Sequence, residues 1–334
     1  MKIMFFDVKE LELDYLKDKL DKNIEGIFLK TPLNSYTFID KKFKNIDALS
    51  VFVSSDLTKE VLSQFKNLKY IFLRCVGFSN IDLKYCEENN IKIFNTPNYG
   101  NSTVAEYVFA LILEVSKKIY ETKSYLKEGF IEKLDLEGIE LFSKTLGVIG
   151  VGAIGRKVIN IAHGFNMNVL AYDIEKKGAY NFVELDELLE KSDFISINCP
   201  LNSSTKGMIN SESISKMKKD VVLINCARGE IVETKALYDA LMNKKIKAAA
   251  LDVVECEEVL CSSYSNCKNL GEISENCLKK FFFIQKLLKM PNVTITPHNA
   301  YNTKEAKIRI LEMTLENIQS SFNISSSTKN LVLI

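Results

Sequence analysis

The sequence predicts an α/β fold of two domains, each a parallel sheet flanked by helices. Three observations predict it. Short apolar runs at residues 3–6, 48–53, 70–73, 91–94, 146–149, 169–172, 194–197, 221–224, 248–251 and 293–295 alternate with helix-like segments, the pattern left by parallel strands joined through crossover helices. A glycine-rich turn directly follows one of these runs, and two Thr-Pro dipeptides punctuate the chain. At 334 residues the chain has room for two domains of about 100–200 residues, each with its own core.

Taken in order, the runs up to residue 94 supply strands of a first sheet. Residues 103–120 form the clearest helix, because Val104, Tyr107, Val108, Leu111, Ile112, Val115 and Ile119 recur at three- and four-residue spacing. A second helix, Thr303 to about Ile318, carries Ala306, Ile310, Met313 and Ile318 along one side. Each helix follows a Thr-Pro pair, Thr96-Pro97 or Thr296-Pro297. Proline disfavours helix in the residue before it, so each pair marks a break, and the two breaks read as domain crossings. Residues 1–98 and 300–334 then form one discontinuous domain, and residues 99–299 the other.

The run Leu146 to Ile149 is followed at once by Gly150, Gly152 and Gly155. That spacing after a strand and before a helix predicts a dinucleotide cradle. Gly150 permits the tight turn, Gly152 admits a pyrophosphate, and Gly155 lets the next helix pack closely. Asp173 lies 18 residues beyond Gly155, at the end of the run Val169 to Tyr172, where a carboxylate accepts the ribose hydroxyls. It repels a 2′-phosphate, and Ile174-Glu175-Lys176-Lys177 brings no arginine. NAD is therefore expected over NADP.

Composition sets the limits. Apolar residues at 46% and charged residues at 26% give ordinary globular usage, with no sign of disorder. A net charge of +1 from 44 basic and 43 acidic side chains, without long like-charge blocks, advertises no surface for nucleic acid. The opening Met-Lys-Ile-Met-Phe-Phe-Asp is too short for a signal peptide, and no apolar run approaches a membrane span. A cytoplasmic protein is expected. Eight cysteines fit that compartment as reduced thiols. Cys256, Cys261, Cys267 and Cys277 are dense, but their gaps of four, five and nine residues match no usual metal spacing. Free thiols on an inserted loop, and no metal, are expected.

In an open parallel sheet the ligand lies beyond the carboxyl ends of the strands. Three stretches sit there: Cys226-Ala227-Arg228-Gly229-Glu230, Asp252 to Glu257, and Pro297-His298-Asn299-Ala300. Arg228 offers a rigid fork for a carboxylate or carbonyl oxygen, the structural alternative being a capping arginine at the surface. The chain has two histidines. His298, at a strand end and a crossing, is the candidate acid/base. His163, near the end of the helix that begins in the glycine turn, reads as structural.

As an ordered set, Gly150, Gly152, Gly155, Asp173, Ala227-Arg228-Gly229, Asp252 with a glutamate five residues on, and Thr296-Pro297-His298 resemble the D-isomer-specific 2-hydroxyacid dehydrogenase family. The resemblance extends over nearly the whole chain, through residues 74–82, Asn95-Thr96-Pro97 with Thr103-Val104-Ala105-Glu106, and residues 213–218. It implies two Rossmann-like or flavodoxin-like domains with the active site in the cleft between them, and a homodimer formed through the nucleotide domains. It implies catalysis by Arg228, Glu257 and His298. The NAD contacts it implies are Gly150, Gly152, Ala153, Ile154, Gly155, Asp173, Cys199, Pro200, Thr205, Cys226, Ala227, Arg228, Asp252 and His298. Substrate would meet Phe52, Val76, Gly77, Tyr99, Arg228, His298 and Tyr301.

Two features depart from the family pattern. Glu258 stands where proline usually follows the glutamate, so Glu255, Glu257 and Glu258 compete and only the spacing from Asp252 selects Glu257. The stretch from about Val259 to Met290 is longer than usual, and Phe281-Phe282-Phe283-Ile284 in it suggests a packed helix.

Serines at 54 and 55 argue against a phosphorylated ligand. The aromatics Phe52, Tyr99 and Tyr301 resemble those of the D-lactate dehydrogenase branch, which makes pyruvate the leading substrate; plain core packing is the alternative for Phe52. Glyoxylate or hydroxypyruvate reduction, and an NAD-sensing corepressor-like protein without turnover, are the alternatives in function.

Overall fold

The computed structural model describes residues 1–40, 43–78, 80–127, 136–257, 274–322 and 328–332. They fall into two compact units, Met1–Tyr99 with Thr303–Ile334, and Gly100–Asn302.

In the first unit β1 (Lys2–Phe5), α1 (Glu10–Lys19), β2 (Glu25–Phe28), β3 (Ala48–Val51), α2 (Lys59–Leu62), β4 (Tyr70–Leu73), α3 (Leu83–Glu88) and β5 (Lys92–Phe94) follow one another. In the second, α4 (Asn101–Lys117) and α5 (Ile119–Lys127) precede β6 (Thr145–Ile149), α6 (Ala153–Gly164), β7 (Asn168–Tyr172), α7 (Leu185–Lys191) and β8 (Phe194–Ile197). It continues through α8 (Ser211–Lys216), β9 (Val221–Asn225), α9 (Thr234–Met242), β10 (Ile246–Leu251), α10 (Glu275–Leu287) and β11 (Val293–Ile295). The chain then returns to the first unit with α11 (Lys304–Ser320) and β12 (Leu331–Val332).

Each unit holds a six-stranded sheet, ordered β12-β5-β4-β3-β1-β2 and β11-β10-β9-β8-β6-β7. Among the described residues all pairings are parallel except that of β12 with β5. The α/β class is thus as the sequence predicts. Alternation along the strands sends side chains to both faces. In the second sheet Ile149, Ile195, Ile197, Leu223 and Leu251 enter one core, and Leu146, Val148, Phe194, Val222 and Ile224 the other. In the first sheet Leu49, Val51, Ile71 and Leu73 face one core while Ile3, Phe5, Phe72 and Phe94 face the other. Burial on both faces is why these strands read as continuous apolar runs.

Strand order reverses beside β6, with β7 on one side and β8 on the other. Such a switch point opens a crevice at the carboxyl ends of the strands, and the glycine turn sits there.

Two expectations change. The single helix over 103–120 is two, because Lys118 takes a left-handed conformation (φ 50°) and ends α4. The expected free thiols at 256 and 277 are instead a disulfide, Cys256–Cys277, with Cα atoms 5.6 Å apart and a sequence separation of 21. The fold carries the turn after β10 beside the first turn of α10, a proximity that linear spacing does not express. Cys75, Cys86, Cys199 and Cys226 remain thiols. Cys261, Cys267 and Glu258 lie outside the described residues. Among the described residues no helix is long and apolar enough to cross a membrane.

Candidate active site

The glycine turn follows directly from β6. Gly150 has φ +91°, and a Cβ there would lie 2.6 Å from the Cys199 backbone nitrogen. Both facts require glycine. A Cβ on Gly155 would lie 2.0 Å from the Gly150 carbonyl oxygen, so α6 crosses the turn at backbone contact. A Cβ on Gly152 would meet nothing within 4 Å, and Gly152 precedes α6 with no side-chain cap. Open space before the N-terminus of a helix suits a pyrophosphate. Two of the glycines build the turn and the third leaves room for the ligand.

Asp173, at the end of β7, accepts hydrogen bonds from Val151 N (2.6 Å) and Glu175 N (3.0 Å). The carboxylate thereby fixes the turn and keeps lone pairs for ribose hydroxyls. The two nearby lysines are engaged, Lys176 with Glu184 at 2.7 Å and Lys177 with Glu175. After β8, Thr205 donates from Oγ1 to the Pro200 carbonyl at 2.7 Å, closing the 200–205 loop. Burial pushes the Cys199 thiol up to about 11, and pushes that of Cys226 up as well, so both stay neutral beside a site suited to an anion.

The loop after β9 is organised by Asn225, which is fully buried. Its amide donates to the Arg228 carbonyl (2.9 Å) and its Oδ1 accepts from Ala227 N (3.0 Å). Arg228 itself is exposed, its Nη1 donating to the Ala227 carbonyl at 2.7 Å. A Cβ on Gly229 would lie 2.0 Å from the Val254 carbonyl, so this loop packs directly on the segment that follows β10.

That segment separates two of the three competing glutamates. Glu255 is buried; it accepts from Thr234 N at 2.7 Å, at the start of α9, and from Lys280 Nζ at 2.6 Å. Glu257 is partly exposed, and its Oε1 lies 3.0 Å from His298 Nδ1. The hydrogen bond to Glu257 raises the His298 pKa, with the Glu257 and Asp252 charges adding to the rise while burial and Arg228 oppose it.

His298 is presented by Asp252, which is 1% exposed. The Asp252 carboxylate accepts from Thr296 Oγ1 (2.6 Å), Asn299 N and Ala300 N (both 2.8 Å), and its carbonyl accepts from His298 N at 2.9 Å. His298 itself has φ 49°, a left-handed conformation that costs a non-glycine residue about 1–2 kcal/mol. Asp252 thus spends its side chain on the histidine loop. Tyr301 follows, its ring 6.4 Å from the imidazole and edge-on to it.

In the first unit the Val76 carbonyl accepts from Asn95 Nδ2 at 2.9 Å, and the Gly77 carbonyl from Cys75 Sγ at 3.2 Å. A trans peptide points its N–H opposite its carbonyl, so the Gly77 amide is turned away from Asn95. Val76 and Gly77 are exposed. Phe52 is half-buried against the core of this unit, and the Tyr99 carbonyl accepts from Arg309 Nε at 2.7 Å. Ser54 donates to Asp7 at 2.5 Å, and Ser55, buried, accepts from Leu33 N at 3.0 Å.

The positioning roles of Asn225, Glu255 and Thr296 were not evident in the sequence. Their only signal is position, since each is a polar residue in or just after an apolar strand.

The family model for the NAD-binding domain of D-isomer specific 2-hydroxyacid dehydrogenases matches residues 109–300. The chain is 34% identical to a D-lactate dehydrogenase, kk1H, of Curvularia clavata, over 95% of this chain and 91% of that one. It is 38% identical to a hydroxypyruvate reductase of Thermotoga maritima, over 81% and 83% respectively. Among solved structures it resembles D-lactate dehydrogenase from Aquifex aeolicus complexed with NAD and lactic acid, with a TM-score of 0.83 and 34% identity, covering 99% of this chain and 98% of that one.

Proposed function

Because this chain belongs to the D-isomer-specific 2-hydroxyacid dehydrogenase family, whose NAD-binding domain it carries, we propose that it reduces a small 2-oxoacid to the D-2-hydroxyacid, with pyruvate and D-lactate as the leading pair. One observation carries the reading. A histidine with a raised pKa lies 3.0 Å from a carboxylate in the unit that also holds the dinucleotide turn.

NADH, when bound, supplies the hydride to the carbonyl carbon. His298, protonated, gives its proton to the developing alkoxide oxygen and takes it back in the reverse direction. Glu257 holds the imidazole by Nδ1, which leaves Nε2 for the substrate and keeps the ring charged at higher pH. Arg228 polarises the carbonyl and opposes the substrate carboxylate, its fork carrying among the described residues one tether, to the Ala227 carbonyl. Amides at Val76 and Gly77 are assigned the substrate carboxylate; Phe52, Tyr99 and Tyr301 are assigned its short apolar tail. Asp173 is assigned the ribose, and the segments 150–155, 199–205 and 226–228 the rest of the cofactor. The proposal divides the chain into a substrate domain, residues 1–98 with 300–334, and a nucleotide domain, residues 99–299. It includes a homodimer and a cytoplasmic setting.

The test is loss of NADH absorbance with pyruvate, 2-oxobutyrate, 2-oxoisocaproate, glyoxylate and hydroxypyruvate, repeated with NADPH. Pyruvate with NADH is expected to give the highest kcat/KM, and His298→Ala to abolish turnover while leaving NADH affinity unchanged. Preference for hydroxypyruvate or glyoxylate would shift the substrate within the family. NADH binding without turnover of any oxoacid would favour a sensor.

A further inference from the structure

The disulfide joins the residue next to Glu257 to the helix that packs behind it. Cys256 has φ 52°, a left-handed conformation that costs a non-glycine residue about 1–2 kcal/mol unless its surroundings impose it. The chain before it is fixed. Val253 and Val254 are buried, and Glu255 is tied to the start of α9 and to Lys280 of α10.

Helix α10 is fixed as well. Ile284 and Leu287 are fully buried in the core of this unit, and Phe283 packs on Tyr238 of α9 with ring centroids 5.4 Å apart. Cys277 sits in the first turn of α10, its N–H bonded to the capping Ser274 at 3.2 Å. The sulfur bridge is thus the covalent link between a rigid helix and a strained residue whose neighbour holds the histidine. Both cysteines are half-buried, within reach of a small dithiol.

We propose that Cys256 and Cys277 form a reversible thiol–disulfide switch that sets the Glu257–His298 contact, with the oxidised protein as the active state. The inference rests on reading Glu257 and His298 as the proton-transfer pair. Reduction breaks the S–S bond. A dithiol supplies two electrons and two protons, both sulfurs become thiols, and the dithiol closes to a cyclic disulfide. Freed of the bridge, Cys256 relaxes from its left-handed conformation and Glu257 leaves the imidazole. Among the described residues, the charged and aromatic groups then facing His298 are Asp252, Arg228 and the Tyr301 ring. With its first partner gone, the imidazole loses its proton at lower pH.

The experiment uses full-length protein prepared without reductant, compared with the same protein after dithiothreitol. Alkylation and peptide mapping identify the linked cysteines. NADH oxidation with pyruvate reads turnover, and the imidazole proton resonance of His298 reads its titration, assigned with His163→Gln because the chain has two histidines. Expected are a Cys256–Cys277 linked peptide before reduction and a lower His298 midpoint after it. Each unit of fall lowers kcat/KM about tenfold at mildly alkaline pH, with NADH affinity unchanged. Oxidised glutathione restores both values, and Cys277→Ser behaves as reduced protein in either condition. Equal kcat/KM and equal midpoints in both states, or Cys256 linked to a different cysteine, would overturn the proposal. If no oxoacid is turned over in either state, the functional reading fails on its own. The His298 midpoint still decides the switch, since a fall on reduction supports it and an unchanged value sinks it.

Discussion

At the scale of single residues, the candidate site is a set of carboxylates with different duties. Glu255 is buried and committed to Thr234 and Lys280, Asp252 is committed to the histidine loop, and Glu257 is committed to His298. Carbonyl reduction needs the protonated imidazole, so its rate falls as pH rises through the His298 pKa. Glu257 raises that pKa, so Glu257→Gln should move this alkaline limb to lower pH. Each unit of movement lowers kcat/KM about tenfold on the alkaline side, and an unmoved limb in the pH–rate profile would remove Glu257 from the mechanism. Asp173 invites a different substitution. Asp173→Asn keeps an oxygen for the Val151 amide and removes the charge that repels a 2′-phosphate. The ratio of NADPH to NADH affinity should then rise about tenfold, the ~1.4 kcal/mol expected when one repulsion is lifted. Titration with the two cofactors checks it, and an unchanged ratio would refute the ribose assignment.

At the scale of elements, the three glycines after β6 are separable by experiment. Gly150→Ala and Gly155→Ala each drive a Cβ to 2.6 Å or less from backbone atoms, so both should lower the Tm and weaken NADH together. Gly152→Ala meets nothing in the protein. It should leave the Tm unchanged and weaken NADH about tenfold or more through crowding of the pyrophosphate, a loss of ~1.4 kcal/mol. Calorimetry and NADH fluorescence titration separate the two outcomes, and a fall in Tm for Gly152→Ala would show that its space is structural. This turn was legible because an apolar strand, a glycine spacing and a terminal aspartate are all local in sequence. Strands buried on both faces were legible for the same reason. The edge strand β2 was not, because Glu25-Gly26-Ile27-Phe28 is only half covered and opens on a charge. Nor was β12, two residues long and paired antiparallel with β5. The break at Lys118 lies inside an unbroken apolar periodicity. The Cys256–Cys277 link is set by where α10 docks on α9, a tertiary fact that no spacing rule carries.

At the scale of the whole molecule, the chain builds one idea twice, a mostly parallel sheet whose strand order reverses beside its first strand. In each unit the residues assigned to chemistry follow the carboxyl ends of strands, where such sheets bind ligands. The first unit's contribution bears on substrate choice. A phosphate tail calls for cations, and the stretches 52–55 and 74–78 contain a single one, Arg74. Its side chain is 2% exposed, paired with Glu12 at 3.1 Å and bonded to the carbonyls of Phe6 and Asp7. Ser54 is bonded to Asp7, and Ser55 to the Leu33 amide. A phosphorylated tail in this region would meet an aspartate and find an arginine already committed. Pyruvate should therefore exceed 3-phosphohydroxypyruvate in kcat/KM by about a hundredfold. That factor corresponds to ~3 kcal/mol, the worth of about two charge-assisted hydrogen bonds the phosphate fails to make. Steady-state rates with both oxoacids at fixed NADH measure the ratio. Equal rates would mean that the phosphate finds its cations elsewhere in the chain, and would move the substrate assignment away from residues 52–55 and 74–78.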